Sequence, residues 1–191
     1  MNAIRLRQLQ KRDYRDPAAF LRGLRAVEMN LLRQVVAPQI RRLRTRGLRE
    51  WRETRLAALF CHGIAVRTGQ KIYVSMGEFE DADSVAMWKF GDELRFTPIQ
   101  IKEVAPNDLN ERATLQQVID SLDKYSDAEN LTVLIHLNRE LRFTPGSVSL
   151  PARANIAALW VLACINPDQS RWALWGDYLQ EPERSEFEYP V

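Results

Sequence analysis

No stretch of this chain approaches the ~20 uninterrupted apolar residues that a membrane-spanning helix needs, which argues against a helical membrane protein. The opening MNAIRLRQLQKRD holds no apolar block of signal-peptide type, so the expected location is the cytoplasm. Cysteine is scarce. Cys61 and Cys164 lie far apart in a chain without an export signal, and each is expected as a buried thiol rather than half of a disulfide. The only histidines, His62 and His136, have no Cys or His at ligand spacing, which sets zinc aside. His136, inside LTVLIHLNR, reads as a core or sheet-edge residue. Neither G-x-S-x-G nor G-x-x-x-x-G-K-[ST] occurs, so serine-hydrolase triads and P-loop NTPases are excluded. Repeats and low-complexity segments are absent as well.

What is present suits one domain with an extension: 191 residues, 46% of them apolar, are enough for a proper core. A net charge of +2 conceals an asymmetry. Residues 1–55 hold 15 Lys or Arg against 5 Asp or Glu, a balance of +10, and residues 56–191 hold 12 against 20, a balance of −8. All but one of the N-terminal cations are arginine, and RRLRTRGLREWRETR brings Arg41, Arg42, Arg44, Arg46, Arg49, Arg52 and Arg55 within a few helical turns. The planar guanidinium fork matches phosphate, which points to an anionic partner. The alternative is a solvated helical face whose arginines pair with Glu50 and Glu53.

Periodicity supplies a coarse order of elements. Asp16 as N-cap and Pro17 at the first position open a helix with apolar Phe20, Leu24, Val27, Leu31 and Val35, ending near Pro38. A second helix is expected from about Leu48 to His62, with Gly63 as its stop. The period then falls to two, and KIYVSM, SVAMWKF and RFTPIQIKEV read as three strands. A helix from about Leu109 to Tyr125 follows, then LTVLIHL as a buried strand, ANIAALWVLACI as a helix, RWALWGDYL as a last strand, and an acidic tail.

Within the third strand, Gln100 and Lys102 stand two apart and leave on one face. A two-residue turn centred on Gly91-Asp92 makes opposed residues sum to 183 and brings Asp83 opposite Gln100. A four-residue loop keeps that register, whereas a three-residue loop shifts it by one and separates the two. Asp83 and the amide oxygen of Gln100 are hard ligands suited to Mg²⁺, with Lys102 beside them to orient a water or offset phosphate charge. The other reading leaves Asp81 and Asp83 solvating a turn, Lys102 pairing with a surface carboxylate near Glu103, and Gln100 on an exposed sheet face.

The order of elements over residues 50–137, with Asp83 at the start of the second strand and Gln100-Ile101-Lys102 in the third, resembles the PD-(D/E)xK, or restriction-endonuclease-like, nuclease superfamily. It looks closest to the Mrr-like branch, in which Gln replaces the acid of (D/E)xK. No proline precedes Asp83. The resemblance implies an α/β fold with an α/β/α core and a mixed central sheet, and Mg²⁺- or Mn²⁺-dependent cleavage of nucleic acid, DNA first. Asp83 and Gln100 are then the metal residues and Lys102 assists the water. A glutamate from the preceding helix joins the site in many members; Glu53 is the candidate here and Glu28 a more distant one.

On this reading residues 1–47 form a basic helical extension, 48–180 the nuclease-like domain and 181–191 an acidic tail. Arg41, Arg42, Arg44, Arg46, Arg49 and Arg52 are the expected phosphate contacts, no membrane is involved, and a homodimer stays open. Two other functions are kept beside it. One is a catalytically silent nuclease-like module that binds nucleic acid or scaffolds a complex. The other is a protein-interaction domain whose arginine face docks an acidic partner and whose tail QEPERSEFEYPV is a mobile peptide.

Overall fold

The structure, a computed structural model, describes residues 3–34, 37, 40, 44–142 and 144–191, and of Leu32 and Arg46 the backbone alone. The chain is a mixed α/β protein in two compact units, Met1–Pro98 with Pro190–Val191, and Ile99–Tyr189. The charge balance changes sign near residue 55, well before this division. Among the described residues no helix is long and apolar enough to cross a membrane.

The first unit begins with helix α1 (Ala3–Gln10) and a two-residue strand β1 (Tyr14–Arg15), both unforeseen because each is too short to display a period. Helix α2 (Pro17–Leu32) starts as expected: Asp16 is extended, and its carboxylate accepts the Ala19 amide at 2.8 Å. It ends at Leu32; the proposed stop at Pro38 lies outside the described residues, as do Arg41 and Arg42. A 3-10 turn (Arg46–Leu48) leads into helix α3 (Arg49–Thr68).

That helix passes through Gly63, the expected stop, and ends at Gly69. Gly63 is buried in mid-helix, where a glycine costs only about 0.5–1 kcal/mol, less than ending the helix would forfeit. Gly69 adopts φ 70°, and its amide closes on the Ala65 carbonyl at 2.8 Å. From Glu53 to Cys61 every residue of α3 is buried, packed between α2 and strands β2 (Ile72–Ser75) and β3 (Ser84–Phe90). β1, β2 and β3 pair antiparallel in chain order, with Tyr14 against Ser75 and Ile72 against Trp88. β4 (Glu93–Val104) follows after Gly91-Asp92, a two-residue turn with Gly91 at φ 60°.

In the second unit β4 and β5 (Ala128–Leu137) are parallel, as are β5 and β6 (Ile156–Cys164), while β7 (Arg171–Gly176) and β8 (Glu183–Glu188) add antiparallel. ANIAALWVLACI, expected as a helix, is therefore strand β6. Leu159 and Val161 are fully buried on one face and Leu162 on the other, and a strand covered on both faces loses the alternation that would have marked it. The acidic tail is no loose peptide. Its residues Glu183–Glu188 are β8, and Phe187 and Tyr189 are buried.

The helix expected over 109–125 shrinks to α4 (Leu115–Asp120) and a 3-10 turn (Ser121–Lys124). The preceding carbonyls are occupied otherwise: Arg139 donates to Ala105 at 2.7 Å, to Ala113 at 2.9 Å, to Glu111 at 3.3 Å and to Asn110. Thr114 then opens α4 with a capping box shared with Gln117. Leu115, Ile119 and Leu122 cover a sheet face made by Val104, Val133, Ile135, Leu159 and Val161.

Both cysteines are free thiols, Cys61 buried and Cys164 half-buried with its Sγ 2.9 Å from the Asn166 carbonyl. Burial pushes the Cys61 thiol up to about 12, and Tyr14 and Tyr178 also up to about 12. An unfolded chain releases the Cys61 proton from about pH 9, while the native chain holds it to about 12. Stability is therefore constant below pH 9 on this account and falls as pH rises through that window, by at most ~1.4 kcal/mol per pH unit for this group. Urea titrations at pH 8, 9 and 10 should show a shallower fall between pH 9 and 10 in Cys61→Ala than in the parent; equal slopes would refute the effect.

Candidate metal centre

Strand β2 ends at Ser75, and between it and β3 the chain makes a tight turn. Phe79 and Ala82 exchange both backbone hydrogen bonds, at 2.9 and 3.0 Å, with Glu80 at φ 54° between them. In that antiparallel register the next pair outward is Glu78 and Asp83, so the turn itself sets two carboxylates side by side. Asp81 is exposed at the tip, and Glu80 pairs with Arg5 at 2.9 Å. A third carboxylate arrives from α3, where Glu53 lies one turn beyond the start of the helix. One oxygen each of Glu53, Glu78 and Asp83 lie within 4.8 Å of one another.

Glu53 and Asp83 are only 9% and 5% exposed, which is costly for anions without a counter-charge. Arg49 supplies it. Its Nε donates to Glu53 at 2.7 Å, and its terminal nitrogen stands 3.8 Å from Asp83 and 3.9 Å from Glu78. The hydrogen bond to Glu53, followed by the fields of the carboxylates, raises the Arg49 pKa above its already high ordinary value.

The loop bearing Glu78 is held from the N-terminal segment. Arg12 donates to the carbonyls of Met76 and Gly77, both at 2.6 Å, to that of Glu78 at 3.2 Å, and to Ser75 Oγ at 3.1 Å. Gly77 is at φ 79°, a conformation that calls for glycine, and a Cβ there would stand 3.1 Å from Oε1 of the exposed Glu50 side chain. Ser75 is itself buried and accepts the Val85 amide at 3.2 Å, tying loop and strand together.

Of the residues singled out in the sequence, Glu53 and Asp83 thus meet within the first unit. Glu28 does not join them; it lies 2.9 Å from Arg55 and 3.5 Å from Arg25. In the second unit Gln100 and Lys102 register against Val133 and Ile135 of β5 and share one face of β4, with the Lys102 ammonium 5.6 Å from the Tyr125 ring centre. Both are half-buried. Glu78 escaped the sequence reading. The available signal was four acids within Glu78–Asp83 following a glycine, from which a tight turn at 79–82 would have paired positions 78 and 83.

The arginines divide. Arg55 is buried against Glu28, Arg49 lies on the carboxylates, and Arg52 is half-buried; the Arg46 side chain, like Arg41 and Arg42, lies outside the described residues. Comparison of the chain with protein-family models, with curated proteins and with solved structures finds no match.

Proposed function

We propose that this protein is a metal-dependent nuclease acting on nucleic acid, DNA first, and that Glu53, Glu78 and Asp83 hold its Mg²⁺ or Mn²⁺. The observation that supports it most is the meeting of Glu53 with Asp83, two residues thirty apart, the first nominated by the superfamily resemblance and the second by hairpin register as well. The donor set suits the ion. Around octahedral Mg²⁺ neighbouring oxygens lie about 3 Å apart and opposite ones about 4.2 Å, so carboxylate oxygens within 4.8 Å would have to draw together by up to about 2 Å, or act through a water. The succession of helix α3, strands β2, β3 and β4, helix α4, and β5 parallel to β4 also agrees with the core that the resemblance implies.

When bound, such an ion polarises a phosphoryl oxygen and lowers the pKa of a coordinated water. The chain's own part is to fix the ligands. Burial keeps Glu53 and Asp83 from wandering, the Phe79–Ala82 turn sets the spacing of Glu78 and Asp83, and Arg12 anchors the loop beneath. The resemblance also names Gln100 and Lys102, which share one face of β4 within the second unit.

Supercoiled plasmid and single-stranded DNA incubated with Mg²⁺ or Mn²⁺ should be nicked, and chelation should stop it. Binding should weaken with salt, log K falling by about 0.9 per tenfold change in salt for each phosphate contacted. Salt-sensitive binding without nicking would favour the catalytically silent module. Absence of both, with no metal uptake, would end the nuclease reading.

A further inference from the structure

The three carboxylates already share a cation. Arg49 reaches Glu53, Asp83 and Glu78 at 2.7, 3.8 and 3.9 Å, so its guanidinium lies where a metal ion would also find its ligands. It is the most exposed member of this group apart from Glu78, with 59% of its side chain accessible against 12% for Glu53 and 6% for Asp83. Glu53 and Asp83 are fixed by burial, whereas the arginine enters from the first turn of α3 on a long stem open to water. One partner of the cluster can leave without disturbing the others.

We propose that Arg49 is a displaceable counter-cation: it neutralises the carboxylates in the metal-free protein, competes with the metal for them, and swings toward solvent when the metal binds. The proposal rests on the metal reading given above and adds a regulatory step to it. Three clustered anions with two of them buried would repel one another in the empty site, and Arg49 removes that cost. Its hydrogen bond takes Glu53 Oε1, one of the two oxygens that residue could offer a divalent ion. A guanidinium cannot be deprotonated to clear the way, so it has to move.

The sign of the expected effect is opposite to that of an ordinary supporting residue. Arg49→Gln should melt lower than the parent when metal-free, because the carboxylates lose their neutralising partner, yet should take up Mn²⁺ roughly 3- to 10-fold more tightly, the range expected for loss of one partly exposed, charge-assisted competitor. Arg49→Lys, which keeps the charge, should stay near the parent affinity. Free Mn²⁺ is counted directly by its electron paramagnetic resonance signal, and adding Asp83→Asn to Arg49→Gln should remove the gain, locating it at this site. In the parent, the Arg49 Nε–H resonance, identified by its loss in Arg49→Gln, should shift from a hydrogen-bonded position to a solvent-exchanging one as Mg²⁺ is added.

A parent that binds Mn²⁺ while Arg49→Gln binds it equally or more weakly would overturn the proposal and leave the metal reading intact. Tighter binding in Arg49→Gln with an unmoved Arg49 resonance in the parent would overturn displacement, since a stationary charge that merely repels the ion would account for it. Uptake by Arg49→Gln alone supports the proposal in its strongest form, with Arg49 holding the site shut. If neither protein takes up Mn²⁺, the metal reading itself fails and the competition with it.

Discussion

Asp83→Asn is expected to lower Mg²⁺-dependent nicking by roughly 100-fold or more while leaving the metal-free protein as stable as its parent. Changes in groups that only support a metal ligand commonly cost 10- to 100-fold, so loss of a ligand should exceed that. Stability should move the other way from intuition for a residue only 5% exposed. The substitution keeps shape, removes one of three crowded negative charges and leaves Arg49 its 2.7 Å hydrogen bond to Glu53. What should disappear is the metal's stabilisation of the fold, which for a working site reaches about 2.7 kcal/mol at a metal concentration 100 times Kd. Thermal melts with and without Mg²⁺, run beside the nicking assay, separate these outcomes. Undiminished cleavage by Asp83→Asn would mean that the chemistry belongs to other residues.

The largest loss of stability is expected at a place that composition alone marks as a solvated tail. Phe187, 5% exposed, lies opposite Trp172, 1% exposed, in the pairing of β8 with β7. Truncation to alanine removes a ring from a packed face and should cost about 3–5 kcal/mol. Glu183→Gln and Glu188→Gln, exposed on the same strand, should each stay within about 0.5 kcal/mol of the parent. Urea unfolding of the three variants tests this, and a Phe187→Ala protein as stable as the charge variants would show that β8 contributes nothing to the core.

How far the sequence could be read depended on whether local rules and tertiary burial agreed. The Asp16-Pro17 start, β3 over Ser84–Phe90 and the turn at Gly91-Asp92 were legible because capping, alternation and turn chemistry act over a few residues. Strand β6 was not, since Ile156–Cys164 contains no polar residue to mark a period, and the burial that makes it a strand comes from partners elsewhere in the chain. Residues 109–113 failed for a related reason: their helix-like pattern yields to Arg139, whose donors claim the carbonyls. At the candidate centre, Asp83 was reached by hairpin register and Glu53 by resemblance, but Glu78 required the Phe79–Ala82 turn, and the turn in place of a longer loop depends on Glu80 accepting positive φ. Nor could Arg49 be assigned from sequence. Its spacing four residues before Glu53 was visible, yet the convergence of Glu78 and Asp83 on the same guanidinium is a product of the fold.

Strand β8 has a further consequence, for colloidal behaviour. It stands last in the strand order, and an edge strand is the kind of rim on which foreign strands nucleate. Its exposed positions are Glu183, Arg184, Glu186 and Glu188, and Pro190 lies two residues past its end. Charged side chains at four of its six positions, with Glu186 held between Arg171 and Arg184, disfavour burial against a second copy of the same edge, and proline offers no amide to extend the ladder. The charge that looked like a property of a tail therefore disfavours fibrillar growth, and the same strand adds hydrophobic packing through Phe187 while its charged positions oppose self-templating.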